Sequence, residues 1–263
     1  MTLHIASQIT PMVITFNEAD NIARCLDRLS WAKQVLVVDS GSSDATLDIA
    51  ARYGNVVVVH RAFDDFATQC NFGLSQITSP WVLSLDADYE LSSDLETELQ
   101  RLGDSPAAGY SARFIYRMYG RPLRASLYPA RVVLYRRALA IYRNEGHGHR
   151  VTVDGPIEAL AGAIHHDDRK PLSRWLASQL KYARLEAAHL LSAPRSELGR
   201  NDRIRLMAWP APFLVPLYTA LVKRCIFDGW AGWFYVLQRA FAEILIAIEI
   251  VDRRLHAKND EKK

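Results

Sequence analysis

The sequence has little of what would make it a secreted or disulfide-stapled protein. Three cysteines occur in 263 residues; Cys25, Cys70 and Cys225 are far apart, odd in number, and form no pair at metal-ligand or redox spacing. A disulfide framework is therefore excluded, and a reducing cytosol is the expected compartment. Near Met1-Thr2-Leu3-His4 there is no basic segment followed by an unbroken apolar stretch, which predicts no signal peptide and an active domain kept on the cytoplasmic side. The net charge of +3 is too small to argue for nucleic acid, and no aromatic-plus-basic sheet motif of an RNA binder is present. The glycines are too sparse after Gly41-Ser42-Ser43 to bring a helix N-terminus up to a dinucleotide pyrophosphate, so the fingerprint of a dinucleotide oxidoreductase is missing as well.

What the chain does have is a 49% hydrophobic content, enough for one large domain or a domain with an appendage. The run Gln8 to Phe16 is rich in Ile, Val and Thr and ends at Asn17-Glu18, the pattern of a buried strand leaving a sheet. Asp20 is placed to cap the segment carrying Ile22, Leu26 and Leu29. The unit repeats: a strand at Gln34 to Asp39, a loop at Gly41 to Ser43, a helix opened by Asp44, and a third strand at Val56 to Val59. A helix over Phe66 to Ile77 follows, then a strand at Trp81 to Leu85 that ends in Asp86-Ala87-Asp88. Four such alternations predict an α/β fold with a doubly wound, mainly parallel sheet. Ligands of such sheets collect beyond the carboxyl ends of the strands, which brings Thr15, Asn17, Glu18, Asp39 and Asp86 to Asp88 to one crevice.

After Ser92 the alternation weakens into a short helix near Leu95 to Leu102 and extended, arginine-studded segments at Tyr110 to Met118 and Arg131 to Arg137. From Leu172 the chain reads as helices. Met207 to Val222 contains no charged residue but is broken by Pro210, Pro212 and Pro216. A spanning helix needs about 20 apolar residues, so this run fits an interfacial or re-entrant segment, with the cluster of Trp230, Trp233, Phe234 and Tyr235 as an aromatic anchor. The expected organisation is a domain at 1–171, with a donor half at about 1–105 and an acceptor half at about 106–171. The remainder, 172–263, is a helical, membrane-associating region. The alternative for its apolar stripes is burial in a helical subdomain or a dimer interface.

Two carboxylates two residues apart at a strand end can present oxygens to one hard divalent cation, and Asp86 and Asp88 have that form. Asp-x-Asp alone is a weak signal, since acids are common at turns; the strand before it and the three earlier units strengthen it. Val13-Ile14-Thr15-Phe16-Asn17-Glu18, Val37-Val38-Asp39-Ser40-Gly41-Ser42-Ser43-Asp44 and Leu83-Ser84-Leu85-Asp86-Ala87-Asp88 resemble the three leading motifs of inverting family-two glycosyltransferases, whose domain has the Rossmann-like GT-A fold. Phe66 to Leu74, with Gln69 and Asn71, resembles the Gln-x-Asn helix of the branch that builds lipopolysaccharide cores and similar envelope glycans.

The resemblance implies that Thr15, Asn17 and Glu18 line a nucleoside pocket, that Asp39 faces the base, usually uridine, and that Gln69 belongs to the donor site. By the same resemblance Asp86 would lie near the ribose or metal, and Asp88 would ligate Mg2+ or Mn2+ at the diphosphate of a nucleotide-sugar, a UDP-hexose by kind. Arg131, beside Tyr128-Pro129, resembles the family's Tyr-Pro...Arg stretch near the diphosphate, where an arginine fork suits phosphate. Against this, Asp39 also fits a loop-bracing acid before Gly41, and Asn17 and Glu18 a plain turn. Inverting transfer needs a general base for the acceptor hydroxyl. Many relatives carry a His-Glu pair before Val-x-Val-Asp-Gly; here the run is Asn144-Glu145-Gly146-His147-Gly148-His149-Arg150-Val151-Thr152-Val153-Asp154-Gly155, with His149 at the usual glutamate position, and its resemblance to a subgroup that carries an acid followed by Gly-His implies Glu145 as the base, with His147 or His149 as the alternative. One of His165 and His166 can join the metal shell, but not both if they lie on a strand, and Asp167 or Asp168 can cap the helix after Pro171.

The acceptor implied is a lipid-linked or lipopolysaccharide-core glycan reached from the cytoplasmic face of the inner membrane, with the protein peripheral or re-entrant. Two rival readings stand beside it. A haloacid-dehalogenase-like phosphatase also places Asp-x-Asp after an apolar strand and could use Asp167-Asp168, but it expects Thr or Val where Glu90 stands and the motif on its first strand. A nucleotide-binding membrane scaffold that has lost transfer would explain the displaced His-Glu pair.

Overall fold

The structure, a computed structural model, describes residues 4–145 and 148–260; of residues 145, 148, 149 and 258–260 it describes the backbone alone. The chain divides into two units, one comprising residues up to Gly120 with Tyr128–Lys170, the other Arg121–Leu127 with the residues from Pro171 onward.

In the first unit, apolar runs form the strands, and the central ones are covered on both faces. The elements in chain order are β1 (Ile9–Thr15), α1 (Ile22–Asp27), β2 (Val35–Asp39), α2 (Thr46–Ala50), β3 (Val56–His60), α3 (Phe66–Gln76), β4 (Trp81–Asp86), β5 (Tyr89–Leu91), α4 (Ser93–Arg101) and β6 (Gly109–Met118). After β7 (Arg121–Pro122), which falls in the second unit, come β8 (Arg131–Arg136), β9 (Ala140–Glu145), β10 (Gly148–Val153) and β11 (Ile157–His166). The main sheet runs β3-β2-β1-β4-β8-β6-β11-β5, while β9 and β10 form a separate antiparallel ribbon. β3, β2, β1 and β4 are parallel neighbours and β6 is parallel to β11, whereas β8 and β5 enter antiparallel. The fold is thus α/β with a mixed, mostly parallel sheet.

Every residue of β2 is buried, as a central parallel strand requires. Met12, Val13, Val37, Val38, Val82 and Leu83 fill the two layers between sheet and helices. Helix starts are set by side chains: Asp65 accepts from Thr68 N at 2.8 Å at the head of α3, and Ser92 accepts from Leu95 N at 3.2 Å at the head of α4. The expected cap at Asp20 is not used. The residue before α1 is Asn21, which makes no side-chain cap bond, because its amide serves long-range contacts described below. Close to α4, β11 shifts register between Ala159 and Ala163, and Glu98 accepts from the freed Ala161 N and Gly162 N at 3.0 and 2.9 Å. A Cβ on Gly162 would stand 2.4 Å from Leu95 Cα, so only glycine lets the helix lie this close.

The second unit is helical: α5 (Leu172–Ser192), α6 (Arg200–Leu206), α7 (Ala211–Leu217), a π turn at Tyr218–Val222 and α8 (Gly229–Asp260). Arg121–Leu127 belongs here rather than with the preceding domain, since Arg124 Nε pairs with Asp228 Oδ1 at 3.0 Å and Leu127 N donates to Tyr235 Oη at 3.0 Å. Helix α5 begins at Pro171 with no side-chain cap, which sets aside capping by Asp167 or Asp168. Among the described residues no helix is long and apolar enough to cross a membrane.

Candidate active site

The strand order reverses at β1, between β2 and β4, so the loops leaving β1 and β4 diverge and open a crevice at the carboxyl edge. Register places the expected residues along that edge: Asp39 is level with Thr15 and with His60, and Asp86 is level with Ile14.

On one side of the crevice, the β1–α1 and β2–α2 loops are stitched together. Asn17, in the left-handed region at φ 55°, accepts from Ser43 N at 2.7 Å and Asp44 N at 3.2 Å, while its own N–H donates to Ser42 Oγ at 2.8 Å. Asparagine tolerates that conformation because its short amide bonds locally. Glu18 N donates to Thr46 Oγ1 at 2.7 Å. Asp39 is buried and accepts from Gly41 N at 2.8 Å, Ser42 N at 3.0 Å and Ser42 Oγ, with His60 Nδ1 at 3.1 Å. Its carboxylate therefore braces the loop. Gln69 is likewise buried, donating to Ser40 Oγ at 3.0 Å and Arg61 O at 3.2 Å and accepting from Arg61 at 2.9 Å. It holds the ends of β2 and β3, one layer behind the crevice. Asn71 exchanges two 3.0 Å bonds with the backbone of Tyr142 and fastens α3 to β9.

On the other side lies a chain of charges whose members come from distant parts of the sequence. Asp88 Oδ2 is 3.2 Å from His166 Nε2, and Lys170 Nζ is 2.7 Å from Glu18 Oε1 and 3.4 Å from Asp168 Oδ2. Asn21 joins them, donating to Glu18 at 2.8 Å and Asp168 at 3.2 Å while accepting from Arg24 and from Arg169 N. Burial raises the Asp88 carboxyl, but the charges of His166 and Lys170 outweigh it and bring the group down to about 2. For Glu18, burial and then the charge on Asp88 lift the carboxyl to about 7. Burial works against the charged form of His166, yet Asp88 and its hydrogen bond hold the pKa up.

His166 also sits among rings. Tyr116, Tyr128 and Tyr89 lie 4.5, 5.0 and 5.2 Å from it, centroid to centroid, and the Tyr89 and Tyr128 hydroxyls bond each other. Arg131, itself exposed, stacks 4.4 Å above Tyr128. His165 points to the other face, as strand alternation demands, with Nε2 3.2 Å from Arg117. Asp167 is buried under Arg24 at 3.1 Å, Arg169 at 2.7 Å and Gly120 N at 3.0 Å, so it is spent on the fold, unlike the acidic partner that a dehalogenase-like phosphatase would need. Lys170, Asn21 and the ring cluster carried no local sign in the sequence.

Glu145 ends β9, opposite Gly148 of β10; its side chain, that of His149, and His147 altogether lie outside the described residues. Their neighbour Asn144 accepts from Ala67 N at 3.2 Å, which sets this end of the ribbon beside the start of α3.

Among the described residues, the buried Thr15 Oγ1 and His166 Nδ1 at the crevice have no hydrogen-bond partner. Leaving such atoms dry is costly, and they fit a site that takes a polar ligand. Of the residues expected at a metal, Asp88 and His166 stand together at 3.2 Å, a carboxylate and an imidazole of the kind that Mn2+ or Mg2+ accepts. Among the described residues no three His, Cys, Asp or Glu side chains converge as a metal cage.

Residues 12–153 match the profile of glycosyl transferase family 2. An uncharacterized glycosyltransferase of Rickettsia typhi is 36% identical over 268 residues, 96% of this chain and 89% of that protein. The lipopolysaccharide core biosynthesis glycosyltransferase LpsC of Rhizobium meliloti is 24% identical over 257 residues, 93% of this chain and 92% of its own length. Other rickettsial relatives align over only 33% to 36% of their length. A mannosyltransferase from Pyrobaculum calidifontis, solved with GDP-Man and Mn2+, superposes with a TM-score of 0.52 at 17% identity, covering 94% of this chain and 87% of that one, and shares the fold. The chain belongs to glycosyl transferase family 2, an inverting family of nucleotide-sugar glycosyltransferases with the GT-A fold.

Proposed function

We propose that the protein transfers a hexose from a UDP-sugar to a lipid-linked, lipopolysaccharide-core type acceptor at the cytoplasmic face of the inner membrane. The observation that carries the reading is the Asp88–His166 pair at the β1/β4 switch point, beside the orphaned Thr15 Oγ1. The acceptor class is supported by the full-length likeness to LpsC, and the membrane placement by the uncharged, proline-broken run at Met207 to Val222.

The nucleoside lies against the stitched loops, with Thr15 and Asn17 at its edge. Asp39 and Gln69 act on it through the Gly41–Ser43 loop and Arg61 that they hold. Asp88, Asp86 and His166 would hold a divalent cation, which when bound would supply positive charge against the departing diphosphate. Arg131 meets the phosphates with paired N–H groups. Glu145 takes the proton of the acceptor hydroxyl as its oxygen attacks the anomeric carbon from the side opposite the leaving group. The new C–O bond forms as the bond to the diphosphate breaks, and the configuration inverts.

Calorimetric titration with UDP, GDP and UMP, each with and without Mn2+, tests the donor site in wild type and Asp88→Ala. Metal-dependent diphosphate binding in the wild type alone is expected; transfer by Asp88→Ala within tenfold of wild type would remove Asp88 from the metal.

A further inference from the structure

The second unit carries an apolar surface that the catalytic reading leaves unexplained. Between Met207 and Trp233, Trp209, Phe213, Leu217, Leu221, Phe227 and Trp233 are each between 51% and 69% exposed. Isolated exposed leucines are ordinary, but so many large aromatic and aliphatic side chains within 27 residues are not. This stretch contains three charged residues, Lys223, Arg224 and Asp228. Asp228 is turned inward, its side chain 6% exposed and paired with Arg124 at 3.0 Å. The acid nearest this surface is thereby neutralised, and the charge left facing outward is cationic.

The backbone is built for shallow depth. Helix α7 and the π turn together hold 12 residues, about 18 Å at 1.5 Å per residue, against a hydrocarbon core of about 30 Å. Pro216 offers no N–H to the preceding turn, and the π turn closes through Lys223 N to Tyr218 O at 3.0 Å. Thr219 hides its hydroxyl on Val215 O at 2.7 Å. A helix interrupted in this way leaves carbonyls in need of water, which is available among headgroups and not among acyl chains.

Arg224 supplies a second, independent sign. It is exposed and holds φ 57°, the left-handed region that favours glycine. An arginine kept in a strained position points to a use for its charge. Lys223 lies beside it, its ammonium 5.9 Å from the Tyr218 ring, the pairing of cation and aromatic ring found at headgroup level.

We infer that residues 207–233 form a monotopic wedge that enters one leaflet of an anionic bilayer. Trp209, Phe213, Leu217 and Leu221 go below the headgroups, and Lys223 and Arg224 meet lipid phosphates. This deepens the membrane placement proposed above by naming the surface and the lipid charge it selects.

The test sediments the full chain with vesicles of phosphatidylcholine alone and with vesicles half phosphatidylglycerol, while UDP–Mn2+ binding is measured in parallel. The expected result is partitioning at least tenfold stronger onto the anionic vesicles, lowered more than tenfold by Phe213→Glu with Leu217→Glu. Arg224→Gly should cut the anionic preference about fivefold, the equivalent of one basic residue at a charged surface. Glycine accepts φ 57°, so this variant folds even if the glutamates do not. Partitioning that is equal on both vesicle types, or unchanged by all three substitutions, overturns the wedge. So does a wild-type chain that ignores vesicles but forms a dimer which the two glutamates dissociate, since that makes the surface an interface with a second copy. Nucleotide binding without vesicle binding sinks the wedge alone; vesicle binding without nucleotide binding sinks the donor site alone.

Discussion

Replacing His166 by glutamine separates two jobs that the structure gives to one ring. The imidazole is 3.2 Å from Asp88, and both side chains are largely buried, 13% and 11% exposed. Losing that charge-assisted bond would cost about 1.5–3 kcal/mol in a dry site. Lys170 also faces Asp88, so the lower end of that range applies. If His166 serves only as a partner to Asp88, its removal lowers stability and leaves nucleotide binding nearly untouched. If it is a ligand, loss of one of three protein donors weakens metal-dependent UDP binding about 10–100-fold, the range seen when groups supporting a metal are removed. At a UDP–Mn2+ concentration 100 times the wild-type Kd, binding stabilises wild type by about 2.7 kcal/mol and the variant by about 0.4–1.4 kcal/mol. Calorimetric titration gives the Kd ratio, and thermal unfolding with and without UDP–Mn2+ gives the linked stabilisation. His165→Gln is the matched control, since that ring faces Arg117 on the other side of the strand, and its Kd should stay within twofold of wild type. A His166→Gln Kd within twofold of wild type refutes the ligand role and leaves the metal to the two aspartates.

Other variants probe neighbouring parts of the argument. Glu145→Gln is expected to lower turnover by about 10²–10⁴ while donor affinity is preserved, because a general base acts on the acceptor hydroxyl. Steady-state transfer with parallel calorimetry reads both, and undiminished turnover moves the base to His147 or His149. Asp167→Ala strands the Arg24 and Arg169 guanidinium groups; since those are 21% and 38% exposed and can regain water, the loss is about 2–3 kcal/mol rather than the full cost of a buried ion. Asp167→Asn, which can still accept from Gly120 N, should lose less in urea denaturation, and equal losses would mean the charge is irrelevant. Gly162→Ala forces a Cβ to within 2.4 Å of the Leu95 backbone and should destabilise by about 3 kcal/mol; an unchanged melting temperature would show that α4 is not held where the structure has it.

How much of this was legible in the sequence depends on the range of the interaction. The parallel core was, because strands covered on both faces are apolar without alternation, and β1, β2 and β4 follow their apolar runs to within a residue or two. The loop residues Asn17, Asp39 and Asp44 were also legible as a group, although their work is to hold one another: Asp39 is saturated by its own loop, the bracing use weighed at the outset. Asp20 shows where local rules fail. It had the right type and place for a cap, yet the chain leaves that cap unmade and spends the next residue, Asn21, on Glu18, Arg24, Asp168 and Arg169. Three of those four contacts are invisible to any capping rule, and two involve residues 147 and 148 positions away.

The histidines make the physical reason plain. Alternation along an extended chain establishes that only one of His165 and His166 can face the crevice, and it is silent on which. The choice is made by β5, three residues long and starting immediately after Asp88. It pairs antiparallel with the end of β11 so that Tyr89 is level with His166 and Glu90 with His165. Tyr89 adjoins Asp88 in the chain, so this register delivers His166 to that carboxylate, and a slip of one residue would deliver His165 and turn the aromatic cluster away with it. That register is fixed far from the site, where Ser92 accepts from Ala163 N at 3.2 Å and Glu98 grips the bulge at Ala161 and Gly162. The Gly162→Ala variant therefore bears on function as well as stability. If the bulge sets the register, the substitution should weaken metal-dependent UDP binding in the fraction that remains folded; a folded variant with wild-type affinity would show that β5 finds its partner without the bulge.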